Sequence, residues 1–367
     1  MPKASEEMVA RFKAETYSAY REWVLQEGLE IVDGHYIPNL KTMQLRPWKR
    51  RGGSGAYINH EASSFSNDCY VCEIPAGGKL EPQRQLFEEM IYVLEGRGAT
   101  TVWNNAGQRA TFEWQAGSLF AVPLNAWHQH FNGSGEKPAR YVSATNAPVV
   151  LNLYRDPEFI FNNPYDFKSR FSGQPDFFNG EGTQVGYHWE TNFVADLVTI
   201  PLMAAKERGA GGGHLRFTLS NSSQLSHISE FPVDTYKKGH RHGPGAHVIV
   251  VSGKGYSLMW PEGSPINRYD WEPGSLIIPP GRWFHQHFNT GSQPARYLAL
   301  KFEGTMDRNE QGVPKAWLNL KEGGEQINYA DEDPMVRKMF EEELAKIGEQ
   351  SKMGPAYEAE KALLASR

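Results

Sequence analysis

His128-Gln129-His130-Phe131-Asn132 and His285-Gln286-His287-Phe288-Asn289 are one pentapeptide written twice, 157 residues apart. The same offset pairs Glu95-Gly96-Arg97-Gly98 with Ser252-Gly253-Lys254-Gly255, Trp103 with Trp260, and Trp114 with Trp271. It also superposes Gly117-Ser118-Leu119 on Gly274-Ser275-Leu276, and Pro-Ala-Arg-Tyr recurs at 138–141 and 294–297, one residue out of step. A single offset held over so many markers predicts two copies of one fold.

Within each copy the apolar runs are short, aromatic or β-branched, and broken by Gly, Pro and Asn, as in Met90–Leu94, Ser118–Val122 and His247–Val251. That pattern predicts an all-β sandwich or barrel. Helical periodicity is confined to the ends. Met8, Phe12, Tyr20, Trp23 and Val24 form an apolar stripe near the N-terminus, and Asp333–Ile347 reads as a charged amphipathic helix. The expected organisation is a helical extension over 1–54, the first copy over 55–150, a connector over 151–213, the second copy over 214–305 and a helical extension over 306–367. The connector is rich in aromatic residues from Tyr154 to Trp189, too apolar for a solvated linker, so it is expected to pack on the barrels or to build a subunit contact.

The 367 residues suit two domains, and 40% hydrophobic with 22% charged residues is ordinary globular composition. A net charge of -5 without long runs gives no nucleic-acid signal. With only Cys69 and Cys72 a disulfide framework is excluded, and strand parity sends these two thiols to opposite faces, as ordinary core residues. No apolar stretch reads as a signal peptide or a membrane span, so a cytoplasmic location is expected.

The second copy carries the chemistry. Five of the chain's 12 histidines, His240, His242, His247, His285 and His287, fall in one stretch of it. In a strand, residues i and i+2 share a face, so His240 with His242, and His285 with His287, each point one way. Gly243-Pro244-Gly245 signals a turn, after which His247 opens the neighbouring strand. Closing the sheet brings three or four imidazoles around one ion, a set suited to Fe, Cu, Ni or Zn. Arg241 alternates outward and reads as structural.

These segments resemble the two motifs of the cupins. Gly239, His240, His242, His247 and Gly253 fall on the first motif, and Gly274, Pro279, His285 and Asn289 on the second. The resemblance covers roughly 55–145 and 214–302 and implies a bicupin: two double-stranded β-helix (jelly-roll) barrels. It implies His240, His242 and His285 as metal ligands. His247 stands close to where many cupins carry a Glu ligand, and is a fourth candidate ligand or a group facing the substrate. The His-x-His spacings are especially similar to gentisate-type ring-cleaving dioxygenases, which implies one divalent transition metal per chain, Fe(II) first, with Mn, Ni, Cu or Zn open. The same likeness gives His287 a pocket-lining, proton-carrying role. Trp283, two residues before His285, is a candidate wall for a flat substrate or plain core packing.

In the first copy Gln83, Gln85 and Met90 stand at the positions of His240, His242 and His247, and His128 alone survives. Two amides, a thioether and one imidazole make a poor site for a divalent ion, although Glu89 adds a carboxylate seven residues before Gly96. The expected function is a metal-dependent bicupin dioxygenase that takes O2 and a small aromatic or hydroxy-acid substrate and assembles as a homodimer or homotetramer. The alternatives are a non-redox cupin lyase, isomerase or decarboxylase, and a non-catalytic small-molecule-binding cupin.

Overall fold

The computed structural model describes residues 18–59, 66–205, 210–243, 246–302, 309–313, 315 and 318–365. Met8, Phe12, Pro244 and Gly245, which carry part of the N-terminal stripe and of the turn between the histidines, lie outside the described residues.

Each copy is two facing antiparallel sheets. In the first, the large sheet runs Gly53–Ile58, Asp68–Ile74, Ala139–Thr145, Glu89–Glu95, Leu119–Val122, and the small one Trp127–Asn132, Arg97–Trp103, Arg109–Gln115. The second repeats this order with Gly213–Leu219, Gln224–Phe231, Ala295–Phe302, His247–Ser252 and Leu276–Ile277 facing Phe284–Asn289, Gly255–Trp260 and Asn267–Trp271. The expected closed β-barrel is corrected here, because the hydrogen-bond ladders do not run round into a ring. Isolated pairs bridge the gap, Gln83 with His128 in one copy and His240 with His285 in the other. The bridging segments, 79–86 and 236–243, hold no β-branched residue, so they cross the gap without extending as regular strands.

Burial explains the strand compositions. Arg109–Gln115 alternates exposed and buried, whereas Glu89–Glu95 is buried on both faces but for its last residue. The second face of the large sheet is covered by the other copy. Met90, Tyr92 and Leu94 meet Ile249, Val251, Leu298 and Leu300 in one continuous core between the copies, while Ile91 and Val93 turn into the first interior and Val248 and Val250 into the second.

Each copy's edge is completed by the segment that precedes the other copy. Tyr36–Ile37 pairs with Leu276–Ile277, and Phe193–Val194 pairs with Leu119–Val122. Ser275 Oγ donates to the Pro38 carbonyl as Ser118 Oγ donates to that of Ala195. Arg140 donates to the carbonyls of Leu40, Lys41 and Met43, and Arg296 to those of Leu197 and Ile200. The repeated Gly-Ser-Leu and Pro-Ala-Arg-Tyr are thus the clasps of two exchanged straps. The N-terminal extension is accordingly only partly helical. Besides the Ala19–Gln26 helix it supplies Ile31–Val32, Tyr36–Ile37 and Arg46–Trp48 to the sheets.

The connector packs as its composition demands: Phe171 and Phe178 are buried in the first interior, and Phe178 stacks on Phe112 at 4.0 Å. The Pro334–Lys346 helix starts at Asp333, whose carboxylate caps the Met335 N–H. It lays Val336, Phe340 and Leu344 over Tyr236, Tyr256 and Phe288 on the outside of the second copy. Among the described residues no helix is long and apolar enough to cross a membrane.

Candidate metal centre

His240 and His285 are paired across the gap by two backbone hydrogen bonds, His240 N–H to the His285 carbonyl at 3.1 Å and the return bond at 2.9 Å. This pairing, with the i+2 rule, brings His240, His242 and His285 together, one ring nitrogen of each lying within 4.8 Å of the others. Their ring centroids stand 4.3, 4.9 and 5.8 Å apart. Each ring is oriented by the backbone: Nδ1 of His240 donates to the Lys238 carbonyl at 3.0 Å, that of His242 to Gly243 at 3.3 Å, and that of His285 to Trp283 at 3.3 Å. An Nδ1–H held this way fixes the tautomer that ligates through Nε2. Three neutral imidazoles so oriented fit a divalent transition metal, and His240, His242 and His285 would hold it.

His247 lies outside this cluster, which corrects its expected place beside the other three. It is fully buried on the face that carries Ile249 and Val251 toward the other copy, and its Nδ1 meets Asn67 Nδ2 of the first copy at 3.2 Å. Burial lowers its pKa to about 4, so the ring is neutral at physiological pH. The parity counted from His242 does not reach His247, and the residue that faces the bore is the neighbouring Ala246, within the second interior.

His287 is buried beside the cluster, its ring 5.7 Å from His285 and its Nδ1 2.7 Å from Ser257 Oγ, to which Trp271 Nε1 also donates. The first copy holds His130, Thr100 and Trp114 in the same chain of hydrogen bonds, which makes the arrangement part of the scaffold of both copies. Trp283 sits half-buried at the end of the bore, tilted against His35 of the N-terminal strap at 5.5 Å. Arg241 points outward, stacked on Phe284 at 4.6 Å and paired with Glu262 at 2.7 Å.

Residues 70–145 match the cupin domain model. A 5-aminosalicylate 1,2-dioxygenase of Comamonas sp is 34% identical to this chain over 76 residues, 20% of this chain and 18% of that protein's length. Two solved variants of Bacillus subtilis oxalate decarboxylase, each 14% identical, align over 74% of this chain and over 77% and 78% of their own chains, with TM-scores of 0.47 and 0.48.

The first copy fills its bore with a buried hydrogen-bond network. Gln83 Nε2 donates to His128 Nε2 at 3.0 Å, and Gln85 Nε2 donates to Glu89 Oε2 at 2.9 Å. Glu89 Oε1 accepts from Tyr70 and Ser143 and lies 3.7 Å from Arg51, which is 1% exposed. Burial lowers His128 to about 4 and pushes His130 well below its ordinary value, so neither ring competes with Arg51 for the carboxylate charge. Each amide N–H occupies a lone pair that would otherwise face an ion. Trp48 packs edge to face against Tyr57 and Tyr70, which are tilted on each other, and the three fill the remaining space.

Two site residues escape a reading of the motifs. Arg51 precedes the first copy and looks like half of a surface Arg-Arg pair. Glu325, in the C-terminal extension, is buried beside Arg241 and Arg282. Neither carries a local signal; only the fold brings them to the bores.

Proposed function

We propose that this protein is a bicupin and a metal-dependent oxygenase, with Fe(II) held by His240, His242 and His285, acting as a dioxygenase on a small aromatic or hydroxy-acid substrate. The observation that carries the proposal is the asymmetry of the bores: the same frame folds with amides at Gln83 and Gln85, so folding alone does not account for the imidazole cluster. The likeness to a 5-aminosalicylate 1,2-dioxygenase supports the reaction type. Ala246, where the first copy has Glu89, leaves this three-His set without a negative ligand. Such a set favours a substrate that brings its own charge, a carboxylate or a phenolate. A ferrous ion bound there supplies the one-electron chemistry that O2 needs to react with a closed-shell substrate.

The chain's own residues do the rest. Backbone carbonyls hold the three rings in place. Val248, Val250, Phe231 and Tyr297 wall the bore with apolar surface and keep it dry. His287, tied to Ser257, is positioned to take or return a proton beside the substrate, and Trp283 closes the far end as a flat wall. A cytoplasmic homodimer or homotetramer completes the reading.

The test is anaerobic purification with metal analysis, then O2 uptake with hydroxybenzoates, aminosalicylates and catechols. One transition metal per chain and stoichiometric O2 consumption on at least one of these is expected. Turnover that proceeds without O2 would replace the oxygenase with a lyase, isomerase or decarboxylase. Ligand-induced thermal stabilisation with no product on any of them would make the protein a binding module.

A further inference from the structure

The segment carrying His240 and His242 has two backbone neighbours. One is the strand of His285. The other is the C-terminal extension: Arg241 N–H donates to the Glu325 carbonyl at 3.0 Å and Ile327 N–H to that of Gly239 at 2.7 Å. The Glu325 side chain, 5% exposed, then reaches both ligand-bearing segments. Its Oε1 lies 2.9 Å from NH1 of Arg282 and 3.9 Å from Nε of Arg241. Arg282 in turn donates its backbone N–H to the His242 carbonyl at 2.9 Å, three residues before His285.

Two features of this contact are costly. Arg282 has φ +70°, a left-handed conformation that costs about 1–2 kcal/mol because Cβ crowds the following carbonyl oxygen. Glu325 Oε2 is buried without a hydrogen-bond partner among the described residues. The first copy closes the same gap without a carboxylate: Arg84, at the position of Arg241, bonds to Asn105 Oδ1 and the Asn162 carbonyl. There Asn125, a residue that tolerates this conformation, takes φ +57°, donates its backbone N–H to the Gln85 carbonyl, and bonds through its amide to the carbonyls of Asn163 and Tyr165. Each clasp leaves one buried oxygen without a partner, Asn125 Oδ1 or Glu325 Oε2, but the copy with the imidazole cluster places an Arg in the left-handed conformation and a carboxylate behind it, where the other uses a single Asn.

We propose that Glu325 is a positioning residue of the metal centre, locking the His240–His242 and Arg282–His285 segments together through Arg241 and Arg282. The inference rests on the reading of the histidine cluster as a metal site. The experiment is an anaerobic Co2+ titration of the metal-free full chain, followed by visible absorption, beside the melting temperature of the metal-free protein. Wild type, Glu325→Gln and Arg282→Asn are compared. Loss of outer contacts to metal ligands typically weakens binding about 10–100-fold, and both variants are expected in that range. Arg282→Asn removes the backbone conflict, so its metal-free melting temperature is expected to stay level or rise while its Co2+ affinity falls. A merely structural clasp would move the two readouts together. Wild-type affinity in both variants, or affinity lost only alongside melting temperature in Arg282→Asn, overturns the proposal. Failure of wild type to bind Co2+ at all would overturn the metal site itself.

Discussion

The two bores solve one problem, how to fill the middle of a jelly roll, in opposite ways. The first is closed by chemistry that needs nothing from outside. Arg51 stands 3.7 Å from Glu89, the amides of Gln83 and Gln85 donate to His128 and Glu89, and Trp48, Tyr57 and Tyr70 fill the volume. The second has Ala246 in place of Glu89, Lys237 in place of Leu80, and Arg216 and His227 facing the register positions of Tyr57 and Tyr70. The frame is shared down to the His-Ser-Trp and His-Thr-Trp chains. The difference therefore separates what the fold requires from what it does not, and the imidazoles at 240 and 242 belong to the second group.

The largest test removes the ion's ligands. His285→Ala and His240→Ala are each expected to take metal content from one per chain to near zero, measured by elemental analysis after anaerobic purification. His128→Ala, its partner in the first copy, is expected to leave the content unchanged, because that ring's Nε2 already accepts from Gln83. Equal losses from His128→Ala and His285→Ala would break the asymmetry.

The converse experiment builds a site. Gln83→His with Gln85→His places two imidazoles beside His128 and Glu89, a three-His and one-carboxylate set on an existing frame. Arg51 is the obstacle, since its guanidinium lies 3.7 Å from the Glu89 carboxylate. Adding Arg51→Met is expected to raise metal content from one to two per chain. A stably folded triple variant that still binds one ion would show that the first frame, and not its residue choice, excludes metal.

The repeat made the fold legible, because markers such as Gly-Ser-Leu and Pro-Ala-Arg-Tyr are structural clasps and recur wherever the clasp does. The grouping of His240, His242 and His285 followed from i+2 parity and one pairing across the gap. His247 went astray because parity does not carry through a turn. Yet Glu89 and Ala246 both stand seven residues before the Gly of their copy, Gly96 and Gly253, so the repeat itself held the correct phase. Arg51, Glu325 and the exchanged straps were illegible for a different reason. Their partners lie tens to hundreds of residues away, and one charged residue on a solvated-looking segment has no periodicity to betray it.

Trp48 tests the first bore as a structural plug. It is fully buried under Tyr57 and Tyr70, its Nε1 donates to Glu27, and Arg51 lies on its face at 4.7 Å. Trp48→Ala is expected to destabilise the chain by about 3–5 kcal/mol in denaturant unfolding, as large aromatic deletions from closed cores do. Metal content of the second bore should hold at one per chain in the folded variant. If metal falls in step with stability, the two bores are one energetic unit and the division between plug and site fails.

The smallest expected effect lies behind the two pentapeptides. Gln129 and Gln286 both point away from their bores, but Gln129 Nε2 donates to the Leu80 carbonyl at 2.8 Å, whereas Gln286 Nε2 donates to the Glu332 carboxylate at 3.2 Å. Glu332 also accepts from Tyr236 and faces Glu360, Arg337 and Tyr357. Burial raises its pKa from 4.5 to about 7. A carboxyl raised on folding holds its proton in the native state after the unfolded chain has lost it. Its contribution is complete below pH 4.5 and fades as pH rises through about 7. Burial also pushes Asp68 of the first copy up to about 7, so Glu332 supplies one share of the pH dependence, the share that belongs to the C-terminal extension it anchors. Denaturant midpoints at pH 5 and pH 8 should differ less in Glu332→Gln than in wild type, while Gln129→Ala should leave the wild-type difference intact. An unchanged difference in Glu332→Gln would place the titration elsewhere and make the two glutamines equivalent.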